Sequence, residues 1–293
     1  MKQSLKEKVL TVLGRNTKGG RGAFILSYFH NRYKFPNLRH PKDLSEIWIK
    51  YVLDGKVNEI AFLADKYEVR KFVEAKGFGA ILTPLIAVFT NADDIMLDAL
   101  PSRFALKANF GATHNIICTN KSTLDQEVIR QQVREWLKPV HYSESERHYN
   151  LIEPKIVCEE FIDDGSGGFP VDYKFLCIKG KVACILAVSG REEGHGTFFP
   201  YSRDWQPLPE YYRGKNLSIN KVSCPNNLTQ MIQVAERLAE GIDLVRVDLY
   251  SNGTRIWFGE MTLTPSGCIF HRWTQKALDD MGQLYLSNAS QTE

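Results

Sequence analysis

Two kinds of feature are missing from this sequence of 293 residues, and each absence excludes a class of protein. No two of its six cysteines have the CxxC spacing that is typical of zinc sites and thiol–disulfide enzymes. No run of 18 apolar residues is present, and the apolar run near the N-terminus is too short for a secretion signal. We therefore expect an unexported, cytoplasmic protein without a transmembrane segment, whose cysteines are reduced, mostly buried and without a chemical role.

The chain also lacks a strong excess of one charge, since its formal net charge is only +3. Basic residues near the N-terminus are interleaved with aromatic ones, which suits either an anionic partner or a solvated basic surface. Because no nucleic-acid-binding motif accompanies them, we expect no nucleic-acid partner. The basic positions are Arg15, Lys18, Arg21, Arg32, Lys34 and Arg39.

The composition, 43% hydrophobic and 24% charged, allows a large core in one domain or two interlocked domains. Apolar spacing predicts helices at residues 3–13, 43–53 and 226–240, one starting near Asp65, and one starting at a capping box at residues 122–125. The segment 189–216 has no clear periodicity and is predicted to be a functional loop. Strand-like runs occur at residues 104–108, 115–118, 156–162, 171–178 and 182–188.

Residues 245–262 contain two strand-like runs around Asn252-Gly253, a pattern that predicts a β-hairpin. Each run contains one carboxylate, Asp248 and Glu260. Mg²⁺ prefers oxygen ligands and usually takes one or two carboxylates, with water and substrate phosphates in the remaining positions. The pair therefore indicates a metal site, although two acids on the solvent face of an amphipathic hairpin would give the same pattern.

The register of this hairpin imposes a condition on the metal site. A two-residue turn at Asn252-Gly253 would place Asp248 opposite Trp257 and would leave Glu260 on the other face of the sheet. A three-residue loop or a β-bulge would return the two acids to a common face. We therefore predict one of these irregularities between Asp248 and Glu260.

Several further motifs precede the hairpin in a fixed order. Lys107 ends a strand-like run and is followed by a loop of small residues around Gly111, where backbone N–H groups can approach a phosphate. Asp65-Lys66 opens a helix upstream of it, and the strand-like run at 156–162 ends in two acidic and two apolar residues. Taken in order, these motifs are Asp65-Lys66, Lys107 with Gly111, Glu159-Glu160-Phe161-Ile162, Asp172-Tyr173-Lys174, Asp248 and Glu260.

This order of motifs resembles the ATP-grasp superfamily. The resemblance implies an α+β fold in which two subdomains clamp ATP, with Lys66 and Lys107 on the phosphates. It also implies that Asp248 and Glu260 bind Mg²⁺, with Thr262 where the superfamily has asparagine. The adenine and ribose hinge then falls on Glu159, Glu160, Phe161 and Ile162. The loop after Lys107 has fewer glycines than most ATP-grasp lids.

Within the superfamily, the motifs are closest to the TupA-like branch of teichuronopeptide biosynthesis, over roughly residues 28–286. Membership would imply a helical region at 1–64, an N-terminal subdomain with a flexible phosphate-binding lid at 65–162, and a C-terminal subdomain at 163–293. It would also imply an ATP- and Mg²⁺-dependent ligase that joins a carboxylate to an amine, plausibly a uronic acid sugar and an amino acid. Such an enzyme acts in bacterial surface-polysaccharide assembly, and peripheral association with that machinery would follow.

Several cationic side chains are further site candidates, each with a structural alternative. Arg246 should share a strand face with Asp248 and could stabilise an acyl phosphate, or could simply pair with that acid. Arg191 could bind a substrate carboxylate or be a surface residue. Lys174 could contact ribose or phosphate or form a salt bridge. Weaker candidates are Arg70, with a solvated helix face as its alternative, and His114 and His195, which could gate or deprotonate the amine or be exposed.

Two other functions remain compatible with this sequence. An ATP-grasp kinase of a sugar hydroxyl would use the same nucleotide grip as a ligase. A nucleotide-binding scaffold without turnover would keep the fold, and the few glycines in the loop and Thr262 are compatible with it. The presence of both lysines and both acids argues against a scaffold, because a binding module has less need of a complete phosphate and metal cradle.

Overall fold

The protein is described by a computed structural model over residues 21–165, 167–190, 196–213 and 222–289. Two antiparallel sheets form its centre, with strand orders β1-β4-β2-β3 and β7-β6-β5-β8-β9. The first contains β1 (Leu85–Phe89), β2 (Phe104–Ala108), β3 (Asn115–Cys118) and β4 (Ile156–Glu160). The second contains β5 (Asp172–Ile178), β6 (Lys181–Ser189), β7 (Thr197–Tyr201), β8 (Leu244–Ser251) and β9 (Ile256–Thr262).

Helices surround these sheets, and the predicted mixed α+β class is confirmed. The predicted helix at residues 3–13 lies outside the described residues. Two 3₁₀ segments, Glu144–Leu151 and Pro265–Cys268, lie near the functional groups discussed below. The helices are α1 (Arg21–Arg32), α2 (Leu44–Leu53), α3 (Lys56–Glu59), α4 (Val69–Ala75), α5 (Gln126–Trp136), α6 (Leu228–Ala239) and α7 (Gln275–Ala289).

The start of α5 differs from the predicted capping box. The helix begins at Gln126, and the side chain of Asp125 accepts hydrogen bonds from the backbone N–H groups of Glu127 and Val128. Residues 121–123 form a separate 3₁₀ turn instead. A carboxylate satisfies two orphan donors of the first helical turn at once, so Asp125 sets the boundary in preference to Ser122.

The predicted irregularity of the β8–β9 hairpin is confirmed, and it is a β-bulge. Leu249 pairs with Phe258, whereas Asp248 pairs with Glu260, so Gly259 is the extra residue. Without this residue Glu260 would lie on the opposite face from Asp248. The bulge therefore places both carboxylates on one face of the sheet.

Two strands were not predicted. The run at β1 is partly buried at every position and so shows no alternation of apolar and polar residues. Strand β7 lies inside the segment 189–216 that was predicted to be a loop, so that prediction is wrong for residues 197–201. Its aromatic side chains pack in the sheet, where Tyr201 stacks on Trp205 with ring centroids 4.0 Å apart.

The N-terminal helices are fastened to the chain that follows β9. Trp48 is fully buried and its indole N–H donates to the carbonyl of Leu263 at 2.7 Å. Arg32, one of the basic N-terminal residues, donates to the carbonyls of Ile269, Phe270 and Trp273. Part of the basic cluster therefore serves the internal structure, while Arg15 and Lys18 lie outside the described residues.

The cysteines are mostly buried, as predicted. All six are free thiols, and five of them are buried while Cys224 is exposed. Within the described ranges, no helix combines the length and the apolar character needed to cross a membrane.

His148 provides a pH-dependent test of the packing between the N-terminal helices and the 3₁₀ segment Glu144–Leu151. The ring is fully buried, and among the described residues neither of its nitrogens has a hydrogen-bond partner. Burial therefore lowers the pKa of His148 to about 4. Above the ordinary histidine pKa of about 6.5, the His148 ring is neutral in both the folded and the unfolded chain. Between this pH and the lowered pKa of the folded state, only the unfolded chain binds a proton at His148, and this destabilises the fold. This residue should therefore cost about 2 kcal/mol of stability between about pH 7 and about pH 5.

Urea unfolding at both pH values measures this effect. His148→Phe should flatten the loss of stability on acidification, whereas His40→Ala, at an exposed histidine, should leave it as in the wild-type protein. An identical acid response in the wild-type protein and His148→Phe would contradict the assignment.

Candidate active site

One face of the second sheet contains a network of charged side chains. Arg246 and Asp248 alternate on β8, and Glu260 and Thr262 lie opposite them on β9. Arg246 donates from Nε and Nη2 to the two carboxylate oxygens of Asp248, each at 2.6 Å. The same Nη2 lies 3.1 Å from Glu260 Oε1 and 2.9 Å from Thr262 Oγ1. The predicted shared face is thus confirmed, and Arg246 here orients the acid pair.

Lys174 extends this network onto β5. It lies opposite Asp248 in the sheet register, and its ammonium group pairs with Asp248 and, at 2.8 Å, with Asp172. Asp248 is only 2% exposed, and both of its oxygens accept hydrogen bonds from cations. The salt-bridge alternative for Lys174 is what the structure shows.

Glu260 is more accessible than its partner, because its side chain is a third exposed. Burial by itself would raise the pKa of Glu260, but the positive charges of Lys66, Arg246 and Lys174 outweigh it and hold that pKa at about 2. A carboxylate with a lowered pKa stabilises the fold above its ordinary pKa and loses that effect as the pH falls towards 2. Glu260 is therefore ionised throughout the physiological range.

Lys66 connects this face to the first sheet. It follows Asp65, whose carboxylate accepts the backbone N–H groups of Tyr67 and Glu68 just before α4. The Lys66 ammonium group donates to the carbonyl of Gly111 at 2.9 Å and lies 3.6 Å from Glu260 Oε2. A lysine from one half of the cleft thus reaches an acid from the other half, as a cation that bridges phosphates would need to do.

Lys107 is held in place by the acid of the hinge motif. Its ammonium group lies 2.7 Å from Glu159 Oε2, and Arg70 donates to the other oxygen of Glu159 at 2.9 Å. Arg70 also donates to the carbonyl of Thr83, so the interpretation of Arg70 as a solvated helix residue is wrong. Glu159 therefore positions Lys107.

A cavity of about 270 Å³ lies beside Lys107 at the junction of the two sheets. Apolar side chains from β2 and β3 meet the hinge residues Glu160, Phe161 and Ile162 there, and Tyr250 of β8 forms another wall. A cleft that combines aromatic and aliphatic side chains with several polar groups suits a flat aromatic ligand that also forms hydrogen bonds. The remaining lining residues are Ala105, Lys107, Asn115, Ile117, Phe169 and Pro170.

The loop after Lys107 is tightly packed at Gly111. A Cβ atom at this position would lie 2.6 Å from the hydroxyl of Tyr142, and its φ of +66° favours glycine. His114 packs against Trp136 with ring centroids 5.6 Å apart, and burial, followed by the charge of Lys66, lowers the pKa of His114. His114 is therefore a neutral neighbour of the lysine at neutral pH and not an exposed side chain.

The oxygen atoms of Asp248 and Glu260 on the second sheet are of the chemical type that Mg²⁺ prefers as ligands. Within the described ranges no group of three His, Cys, Asp or Glu residues is close enough to hold a metal. Asp248 and Glu260 supply oxygen ligands only, which fits an ion that takes its other ligands from water and phosphates. Glu260 is the more available ligand, because Arg246 and Lys174 already engage both oxygens of Asp248.

Some predictions fall outside the described residues, and several residues that line the cavity were not predicted, among them Tyr250. Arg191 and His195 both belong to residues 191–195, which lie outside the described ranges. Tyr250 was not singled out, although alternation along β8 places it on the same face as Arg246 and Asp248. Counting every second residue from Asp248 would have found it.

Most of the chain matches one known protein family. Residues 46–285, most of the chain, match the profile of the family described as TupA-like ATPgrasp. The chain belongs to the TupA-like ATP-grasp family. Its membership confirms the predicted family and the predicted ATP-grasp fold class. No curated protein matches the chain.

Solved structures with a similar fold belong to several ATP-grasp ligases. D-alanine–D-alanine ligase from Bacillus anthracis in complex with ATP is 13% identical, with a TM-score of 0.44, over 79% of this chain and 69% of that chain. D-cycloserine synthetase DcsG is 14% identical, with a TM-score of 0.43, over 78% and 71%. The ligase PsnB with its minimal precursor is 12% identical, with a TM-score of 0.41, over 98% and 75%.

If Lys107 binds the phosphates of ATP in this TupA-like protein, its removal should weaken ATP binding. Lys107→Met removes the ammonium group and leaves Glu159 paired with Arg70, so the fold should persist. Because a charge-assisted contact contributes about 1.5–3 kcal/mol, ATP should bind about tenfold more weakly or worse. Calorimetric titration with ATP measures this. Lys56→Met, at an exposed surface pair with Glu59, is the control, and unchanged affinity in Lys107→Met would count against the role.

Proposed function

We propose that this TupA-like ATP-grasp protein is an ATP-dependent, ADP-forming carboxylate–amine ligase. The main observation in support is that Lys66, from the first half of the cleft, lies 3.6 Å from Glu260, an acid of the second half. The cations that we assign to phosphate and the acids that we assign to Mg²⁺ therefore face one space, next to a cavity that suits adenine. Binding residues of both signs around one cleft are what transfer of a phosphoryl group requires.

The order of groups in the cleft suggests how ATP would bind. The base would enter the cavity between the hinge at Glu160–Ile162 and Tyr250, and Lys107 and Lys66 would neutralise the phosphates. Mg²⁺ bound to Glu260 and Asp248 would neutralise the charge that the phosphates present to the substrate. Arg246, 17% exposed, is placed to hold the acid pair and to present positive charge to the transferred group.

A carboxylate does not lose hydroxide at neutral pH, so formation of an amide needs activation. Transfer of the γ-phosphoryl group to the substrate carboxylate would give an acyl phosphate, and attack by the amine would then release phosphate. The protein's part in such a reaction is mainly positioning and charge neutralisation, so no nucleophilic side chain is required.

The family points to surface-polysaccharide assembly, and we propose a uronic acid sugar and an amino acid as the substrates. Both are small and charged, which suits a cleft lined by cations and acids. A cytoplasmic enzyme is consistent with the six free cysteines and with a need for ATP. We propose that any contact with the polysaccharide machinery is peripheral.

The test is Mg²⁺-dependent release of ADP and phosphate, measured with uronic acids or their nucleotide sugars crossed with amino acids. Release only when an acid and an amine are both present, with a product mass equal to their condensation, would support the ligase. Phosphate retained on a single hydroxyl compound would show a sugar kinase instead. ATP binding without turnover on any combination would argue for a nucleotide-binding scaffold.

A further inference from the structure

A second cavity has a volume of about 400 Å³, within the range of about 300–1,000 Å³ that is typical of small-molecule sites. It is larger than the cavity beside Lys107 and shares no lining residue with it. The proposed binding of ATP does not use this second cavity. Its wall contains three aromatic rings, an imidazole and an amide, which belong to Phe110, Tyr142, Tyr149, His141 and Asn150.

The second cavity lies directly beside the loop that follows Lys107. Phe110 in its wall immediately precedes Gly111, whose carbonyl accepts a hydrogen bond from the Lys66 ammonium group at 2.9 Å. The 3₁₀ segment Glu144–Leu151, which forms part of the wall, contacts the turn that ends two residues before Lys66. A ligand in this cavity would therefore lie next to a cation that we assign to the phosphates of ATP.

The aromatic wall is held in place by contacts within the protein. The exposed side chain of Asn150 accepts from the backbone N–H of Tyr142 at 2.8 Å and donates to the carbonyl of the same residue at 3.1 Å. The Tyr142 ring packs on Phe110 and Tyr149, with ring centroids 6.2 and 5.0 Å apart. The Tyr142 hydroxyl lies against Gly111, where a Cβ atom would come within 2.6 Å of it. A wall that is already ordered reduces the entropy cost of binding a ligand.

The polar groups of the wall are neutral donors and acceptors. None of the described residues that line the cavity is a lysine, arginine, aspartate or glutamate. The hydroxyls of Tyr142 and Tyr149 have no hydrogen-bond partner within the part of the chain that the structure describes. A free amino acid carries an ammonium group and a carboxylate, and both would lack a charged partner here.

A sugar ring matches this lining better than an amino acid does. Its faces present weakly positive C–H groups, which suit the negative faces of aromatic rings, and its edge presents hydroxyl groups. The tyrosine hydroxyls, the imidazole and the amide of the wall can exchange hydrogen bonds with such an edge.

We propose that this second cavity binds the pyranose ring of the uronic acid substrate, with its carboxylate directed towards Lys66. The inference rests on the proposed ligase activity and assigns a place to one of its two substrates. Recognition of the ring is thereby separated from activation of the carboxylate, which belongs to the charged part of the cleft. The amino acid substrate binds outside this cavity.

The first test locates the ring by proton NMR, with methyl glucuronide, methyl galacturonide and alanine as probes at constant pH and without ATP. His141 is exposed and lines the cavity, so its imidazole signals, assigned with His141→Gln, report on the site. At least one uronide should shift these signals saturably, and alanine should not. The signals of His40, an exposed histidine outside the cavity, should stay in place with every probe.

The second test blocks the cavity and leaves its aromatic wall intact. Val140 lines the cavity and is 50% exposed, so Val140→Trp should fold and place an indole across the wall. Its KM for the uronic acid should rise about tenfold or more, and the uronide should no longer shift the His141 signals. Leu151→Trp is the matched control, because Leu151 is 62% exposed and lies between two lining residues without lining the cavity itself. This variant should keep both wild-type values, and urea unfolding should show that both variants are folded.

The outcomes separate this inference from the proposed ligase activity. If a uronic acid is condensed with an amine while Val140→Trp keeps the wild-type KM for it, the cavity is not the sugar site and the ligase proposal stands. Saturable uronide shifts that Val140→Trp abolishes, in a protein that forms no amide, would support the sugar site and overturn the ligase. No shift at His141 with either uronide would overturn the sugar site.

Discussion

Asp248→Asn and Glu260→Gln are each expected to abolish ATP turnover, yet only the Asp248 change should also destabilise the fold strongly. Each variant removes one negative charge from the acid pair that we assign to Mg²⁺, so the divalent ion should be lost or misplaced in both. The difference lies in burial. Asp248 is 2% exposed and binds Arg246 and Lys174, whereas the side chain of Glu260 is a third exposed.

Asp248→Asn removes one of the two carboxylates that each of Arg246 and Lys174 pairs with in this buried site. Removal of one partner from a buried ion pair typically costs about 3–5 kcal/mol, and the remaining bonds of Lys174 to Asp172 and of Arg246 to Glu260 should reduce this to about 3 kcal/mol. Glu260→Gln keeps a hydrogen-bond acceptor near Thr262 and should cost about 1 kcal/mol.

Steady-state ADP release and urea unfolding of the same preparations separate the two effects. Asp243→Asn is the matched control, because Asp243 lies just before β8, its side chain is 40% exposed, and asparagine can still accept the hydrogen bonds of Lys179 and Tyr285. It should retain full turnover and near wild-type stability. Turnover that survives in either Asp248→Asn or Glu260→Gln would contradict the metal assignment, and equal stability of the two variants would contradict the burial argument.

The parts of the site that could be predicted from sequence are those whose residues belong to one strand or one hairpin. Arg246 and Asp248 share a face because strand residues alternate, and the register of one hairpin was enough to require an irregularity before Glu260. Lys66 and Lys107 were assigned from their motifs, and both line the cleft near the acids or the hinge.

The pairings between distant segments could not be predicted. Strand β4 lies between β1 and β2, and this order brings Glu159 next to both Lys107 and Arg70. Nothing in the local pattern of α4 distinguishes an arginine that points inward to Glu159 from one that faces solvent.

Gly259 offers the sharpest test of the bulge itself, and we expect Gly259→Ala to remove most of the activity. A Cβ atom at this position would lie 2.9 Å from the backbone oxygen of Asp248 and 3.1 Å from Cε2 of Tyr250. The clash with the backbone cannot be relieved by a side-chain rotation, so β9 must move relative to β8. Glu260 is the next residue and would move with it.

The expected cost in stability is about 1–3 kcal/mol, as for other overpacked sites. The expected loss of turnover is larger, about 100-fold, because a displacement of about 1 Å in a positioned group has effects of that size. Gly79→Ala is the control, since a Cβ atom there would meet only Glu74 Cγ at 3.4 Å. If Gly259→Ala lost stability but kept full turnover, the two acids would not need their common register, and the metal site would have to be sought elsewhere in the cleft.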